Sequence, residues 1–183
     1  MDAKKILVLG ASGYVGSRLI PRLLARGYTV RAVSRNPASL AGRQWAADPR
    51  VEVLPADILD PAAARTVCAG CVAGYYLVHS MNPGHPDFAA ADRQAARNAA
   101  RAAQEAGLTR VIYLGGLGRD PGQLSPHLRS RKEVGDILQS GGVPCTVLRA
   151  AMIIGAGSAS FEILRYLVER LPVMITQIGR AHV

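Results

Sequence analysis

No apolar run in this sequence approaches the ~20 residues that a membrane span requires; the hydrophobic stretches are short and broken by charge. No leader is expected either: Met1-Asp2-Ala3-Lys4-Lys5 passes straight into a strand-like run, without the apolar region of a signal peptide, so the expected compartment is the cytoplasm. Cysteine is scarce. Cys68, Cys71 and Cys145 cannot build a disulfide framework, and although Cys68 and Cys71 have the spacing of a redox or zinc pair, no second pair accompanies them. We read all three as reduced thiols. Aromatic residues make up 5 % of the chain, and acidic residues are outnumbered 13 to 22 by lysine and arginine, giving a formal charge of +9. Such a charge draws polyanions. The arginines, however, lie along expected helices (Arg18, Arg22, Arg26, Arg93, Arg97, Arg101) with little aromatic interleaving, and no groove-reading motif occurs. They read as solvated helix faces, and no nucleic-acid partner is expected. Neither an internal repeat nor a low-complexity linker divides the chain.

What is present is a strand that turns through glycines into a helix. Ile6-Leu7-Val8-Leu9 is followed by Gly10-Ala11-Ser12-Gly13-Tyr14-Val15-Gly16 and an amphipathic segment to Arg26. The first backbone N–H groups of a helix are unpaired and its dipole concentrates positive charge there, so this turn is an anion site that suits a pyrophosphate. Gly10 lets the chain leave the strand in a tight turn, Gly13 removes a side chain where phosphates approach, and Gly16 lets the helix pack against the strands. Ser12, Tyr14 and Val15 complete the expected cradle.

Further strands and helices alternate along the rest of the chain. A second strand, Tyr28 to Ser34, ends in Ser34-Arg35 with no acidic residue at its tip. An acid there selects a free ribose 2′-hydroxyl and an arginine a 2′-phosphate, so the expected cofactor is NADP, with NAD possible. Pro37 to Ala47 carries a weak helical pattern. Val51 to Leu54 is a third strand, after which Asp57 either caps an adenine edge, with Ile58 packed on the ring face, or simply makes a turn. Asp60-Pro61 starts a helix to about Gly70. Val72 to Val78 is a fourth strand, whose exit, from His79 and Ser80 to His85 and Pro86, should border the cofactor; the two histidines lack a third ligand, and no metal is expected. A helix from Asp87 to Ala106 leads to a fifth strand, Thr109 to Leu114, then Gly115-Gly116-Leu117-Gly118, with Gly115 beside the cofactor. Ser125-Pro126 opens a helix over His127 to Ser140, Pro144 to Leu148 is the sixth strand, and Phe161 to Leu171 begins another helix. Six such alternations with short connections predict a Rossmann-type doubly wound parallel α/β sheet with helices on both faces and the ligand across its switch point.

Gln177 to Val183 has neither period nor turn logic, and Ile178-Gly179-Arg180-Ala181-His182-Val183 matches one reading frame of a widely used sequencing adapter before a stop codon. Residues 177–183 are therefore expected to be a non-native tail. Residues 1–176 are expected to form an NAD(P)-binding domain that is incomplete at its C-terminus.

Gly10 to Gly16, Arg35, Asp57-Ile58, Tyr75-Tyr76-Leu77-Val78-His79-Ser80 and Leu148-Arg149 together resemble the atypical and extended short-chain dehydrogenase/reductases, in particular their NmrA-like, NAD(P)H-binding branch. The resemblance spans roughly residues 4–176. It implies a Tyr-x-x-x-Lys pair on the helix after the fifth strand, in which the ammonium holds the cofactor ribose and lowers the phenol's pKa. Registered on Arg129-Ser130, those positions hold His127 and Arg131, and Gly115 and Gly116 stand where the family has a polar serine. On this reading His127 is the proton donor and Arg131 or Lys132 the ribose anchor of an oxidoreductase acting on a carbonyl or alcohol. The alternative is a non-catalytic nicotinamide-binding sensor, regulator or assembly factor with a protein partner.

Overall fold

The computed structural model describes residues 4–79, 88–117, 125–151 and 153–172. Its strands are β1 (Lys5–Leu9), β2 (Thr29–Ser34), β3 (Val51–Pro55), β4 (Ala73–Tyr76), β5 (Arg110–Gly116) and β6 (Cys145–Ala150), and its helices are α1 (Tyr14–Ala25), α2 (Pro61–Cys68), α3 (Phe88–Glu105), α4 (Pro126–Gln139) and α5 (Ala159–Arg170). Ser80, His85 and residues 177–183, on which sequence expectations were placed, lie outside the described residues. All six strands pair in parallel in the order β3-β2-β1-β4-β5-β6. The order reverses between β1 and β4, and ligands of such sheets bind in the crevice at that switch point.

Strand alternation builds the core. Leu7 and Leu9 of β1 face α2, α3 and α4, where the Ala-rich side of α3 lets the helix come close to the sheet. Ile6 and Val8 face the other way, against Ile20, Leu23 and Leu24 of α1 and Trp45. Successive strand residues point to opposite faces, so one apolar run serves two layers. The chain divides into two compact units, Met1–Ala150 and Ala151–Val183. In the second, α5 carries Arg165 between Glu162 and Glu169, at 3.0 and 3.1 Å.

Local chemistry ends the elements where side chains can satisfy free backbone groups. Asp60 caps α2 by accepting from the Ala62 N–H at 2.9 Å, and Ser125 caps α4 through the Leu128 N–H at 3.3 Å. The weak helical pattern over Pro37 to Ala47 resolves into two 3₁₀ turns, Pro37–Leu40 and Gln44–Ala47. Asn36 accepts from the Ala38 N–H to start the first of them, and Gly42 lies between the two, so no continuous α-helix forms. Trp45 anchors the second by donating from its indole N–H to the Ser17 carbonyl.

Arg31, in the middle of β2, is 8 % exposed. Its Nε donates to Glu52, and Nη1 donates to the carbonyls of Thr66, Val67 and Ala69, the last at 2.6 Å. A cation thus closes the C-terminal end of α2, where carbonyls are unpaired and the dipole is negative. Cys68 and Cys71 are buried and free, and Cys145 is partly buried and free. Burial pushes the Cys68 thiol up to about 12, with the neighbouring Cys71 adding to it and Arg31 opposing.

Candidate functional site

Each glycine of the first turn has a separate geometric reason. Gly10 leaves β1 at φ +86°, and a Cβ there would sit 2.8 Å from the Leu77 carbonyl oxygen at the exit of β4. A Cβ on Gly16 would overlap the Gly10 carbonyl oxygen. Gly16 therefore seats α1 on the turn itself, whereas packing against the strands was expected. Gly13 is different: a Cβ there would meet only the Gly10 carbonyl oxygen, at 3.3 Å, so its open side faces away from the protein.

The start of α1 is uncapped. Gly13 occupies the N-cap position in extended conformation without a side-chain hydrogen bond, and the first turn holds no acid. Tyr14 and Val15 are half-buried behind it, and the Arg18 guanidinium lies 3.7 Å from the Tyr14 ring centroid. The Gly10 and Ala11 N–H groups donate to the Val33 carbonyl, which ties the turn to β2. Beside it, Ser34 Oγ donates to the exposed Ser12 Oγ at 3.3 Å and to the Asn36 carbonyl at 3.1 Å. Arg35 is exposed at the β2 exit.

Past β3, the Asp57 carboxylate accepts the Leu59 N–H at 2.9 Å, so the residue makes a turn, one of the two roles expected for it. Ile58 requires a correction. Its side chain is 4 % exposed and belongs to the core with Val33 and Ala99, which leaves no free face for an adenine ring. Asn98 of α3, which the sequence reading missed, donates to the Ile58 and Leu59 carbonyls at 2.9 Å and holds this loop in place.

At the C-terminal ends of β4 and β5 a second group of residues meets. Arg131 Nε donates to His127 Nε2 at 3.1 Å and Nη1 donates to the Leu114 carbonyl at 3.2 Å. Desolvation and the Arg131 charge hold the His127 imidazole below its ordinary titration range, with Asp92 pulling the other way. His79 is lowered in the same way, by desolvation, then Arg131, against Asp92. Tyr113 donates to the Arg131 carbonyl, and desolvation pushes its phenol up to about 12. Lys132 is taken up by Asp136 on its own helix at 2.6 Å. Gly115 and Gly116 leave bare backbone here, because a Cβ would stand 3.1 Å from the Tyr113 ring in one case and 2.6 Å from Leu128 in the other. Among the described residues no group of histidines, cysteines and acids is arranged to hold a metal.

A dinucleotide turn at the switch point of a 3-2-1-4-5-6 sheet narrows the comparison to nucleotide-binding proteins, and the family model for NAD(P)H-binding matches residues 10–183. The chain belongs to the NAD(P)H-binding family. Cinnamoyl-CoA reductase 1 of Oryza sativa subsp. japonica is 34 % identical over 121 residues, covering 64 % of this chain and 36 % of that protein. Among solved structures, the enzyme WbmH of Bordetella bronchiseptica in complex with NAD+ superposes with a TM-score of 0.74 at 18 % identity, over 92 % of this chain and 63 % of that one. A mutant form of NmrA gives 0.67 at 24 % identity, over 81 % and 45 %. This NAD(P)H-binding chain aligns with about a third of the length of that curated reductase. The expected Rossmann fold stands, and so does the expected NAD(P)H-binding family.

The residues present fit the cofactor that the family implies. The bare side of Gly13 and the start of α1, which has no side-chain cap at Gly13, form a cradle for an anion.

Proposed function

We propose that this chain binds NADP(H) at the β1–β4 switch point and forms the cofactor-holding part of a reductase acting on a small carbonyl or alcohol substrate. The observation that carries the proposal is the turn from Gly10 to Gly16, in which Gly10 and Gly16 are filled by the protein's own backbone while Gly13 is left open. In this reading the Gly13, Tyr14, Val15 and Gly16 backbone holds the pyrophosphate. Arg35, with the Ser12 and Ser34 hydroxyls nearby, receives the ribose 2′-phosphate, because nothing acidic stands at the tip of β2 to repel it. Asp57 borders the adenine, and His79 and Gly115 border the nicotinamide side. The similarity to a cinnamoyl-CoA reductase supports the reductase reading. The bound nicotinamide supplies or accepts a hydride. Holding the cofactor and moving the accompanying proton fall to this chain.

For the proton, His127 is the group of choice, with Arg131 as its partner and as ribose anchor. Lys132 is a weaker candidate for the anchor, since Asp136 already holds its ammonium. The Arg131 hydrogen bond keeps Nε2 of His127 as an acceptor, so the neutral imidazole carries its proton on Nδ1. Reduction requires a donor and oxidation an acceptor. With the imidazole lowered below its usual value of about 6.5, reduction should speed up as the pH falls through the His127 titration, and oxidation as it rises.

The same observation favours a second reading. An imidazole that burial and the Arg131 charge hold below its ordinary titration range is a weaker proton donor near neutral pH than a free one, as suits a nicotinamide-binding sensor or assembly factor that binds a protein partner and performs no reduction. Fluorescence titration of the chain with NADPH and NADH tests the part common to both readings. Saturable binding of both is expected, tighter for NADPH, and absence of saturable binding overturns both. An Arg35→Asp variant is expected to lose the preference for NADPH, and retention of that preference refutes the role given to Arg35.

A further inference from the structure

Asp92 is one of two polar residues on the buried, alanine-lined side of α3, the other being Asn98, and it is 7 % exposed. Across the helix pair, Ser130 Oγ donates to Asp92 Oδ2 at 3.1 Å, with Ser130 itself 1 % exposed. Close by on the same two helices, Arg93 and Glu133 pair at 2.9 Å. Burying a carboxylate costs free energy that apolar packing at the same position would avoid. The neighbouring alanines Ala95, Ala96 and Ala99 show that this seam otherwise packs without polar groups.

The direction in which α4 turns accounts for the position. Ser130 lies three residues after His127 and one before Arg131, so a bond at Ser130 fixes the rotation of α4 and thereby the face on which His127 and Arg131 stand. Groups from four directions feel the Asp92 charge: Tyr76 of β4, Tyr113 of β5, His79 beyond β4, and His127 of α4. Arg131 opposes it at both imidazoles. We propose that Asp92 is a positioning residue of the proposed proton-handling site, orienting α4 through Ser130 and supplying the negative charge that offsets Arg131 at His127 and His79. This inference rests on the reading of His127 as the group that handles the proton.

The chain holds four histidines, His79, His85, His127 and His182, few enough for each imidazole to be followed separately by proton–carbon NMR in the full chain. Asp92→Asn keeps a hydrogen-bonding side chain of the same size and removes the charge. It is expected to move the His127 and His79 midpoints down by about one on the pH scale, the size of a unit charge acting across a partly solvated site. A purely structural role would lower the melting temperature of Asp92→Asn and leave both midpoints in place, and that result overturns the inference. Should Asp92→Asn not fold, the exchange Asp92→Ser with Ser130→Asp keeps the charge and the hydrogen bond with their owners reversed. Wild-type midpoints in the exchanged protein support the inference, and midpoints lowered by about one overturn it. NADPH titration of the wild-type chain separates the two failures: unshifted midpoints with intact binding refute Asp92 alone, while absent binding refutes the cofactor reading from which the role of His127 follows.

Discussion

Two glycines three residues apart are expected to behave in opposite ways when a methyl group is added. In Gly16→Ala the new carbon collides with the Gly10 carbonyl, a backbone atom that can move only with the whole turn. The expected cost is about 3 kcal/mol, the upper end of the usual range for an overpacked core site. In Gly13→Ala the methyl group meets one oxygen at 3.3 Å and otherwise open space. Stability should fall by only about 1 kcal/mol, while NADPH affinity drops at least tenfold. Urea unfolding and NADPH titration on both variants check the contrast, and equal destabilisation of the two would remove the distinction drawn between them. Arg31 is the residue with most to lose. Arg31→Met would leave three carbonyls at the end of α2 without their cation, and the expected loss is about 2–4 kcal/mol in urea unfolding.

The same arginine links three elements, since Glu52 of β3 accepts from Lys5 of β1 and Arg31 of β2, both at 3.0 Å. Desolvation raises the Glu52 carboxyl, but the hydrogen bonds from Lys5 and Arg31 outweigh it and hold the group below the ordinary carboxylate range. A carboxyl lowered in the folded state stabilises the fold above its unfolded pKa, here about 4.3, and that contribution is lost as pH falls through the folded value. Glu52→Gln should therefore narrow the stability difference between pH 6 and pH 3, measured by thermal unfolding. These elements differ in how far the sequence announces them. The capping of α2 by Asp60 and of α4 by Ser125 was legible because cap and helix are neighbours in the chain. Arg31, by contrast, meets carbonyls 35 to 38 residues away, so its role depends on strand order, and the only local sign is a charge inside a β-branched run. Asn98 and Ser130 are hidden for the same reason. Ile58 was misassigned because a residue just past a strand end can turn inward or outward, and Asn98 draws this loop inward from a distance of 40 residues.

At the scale of the whole molecule, the glycine turn, the six strands and their parallel pairing follow from patterns that repeat locally, and all were readable. The chemistry of the site was readable only as residue types: His127 and Arg131 could be placed on one helix face, but not the burial that, with the Arg131 charge, lowers the imidazole. No helix among the described residues is long and apolar enough to cross a membrane. The buried thiols described with the fold have a use of another kind. A thiol attacks a labelling reagent only as thiolate and only when exposed, and Cys68 meets neither condition while α2 is docked. Its alkylation rate in the native protein is then a clock for the opening of α2, running slowly beside the faster, partly buried Cys145. If Arg31 is what keeps that helix end closed, Arg31→Met should make the Cys68 clock run faster while the Cys145 clock keeps its time.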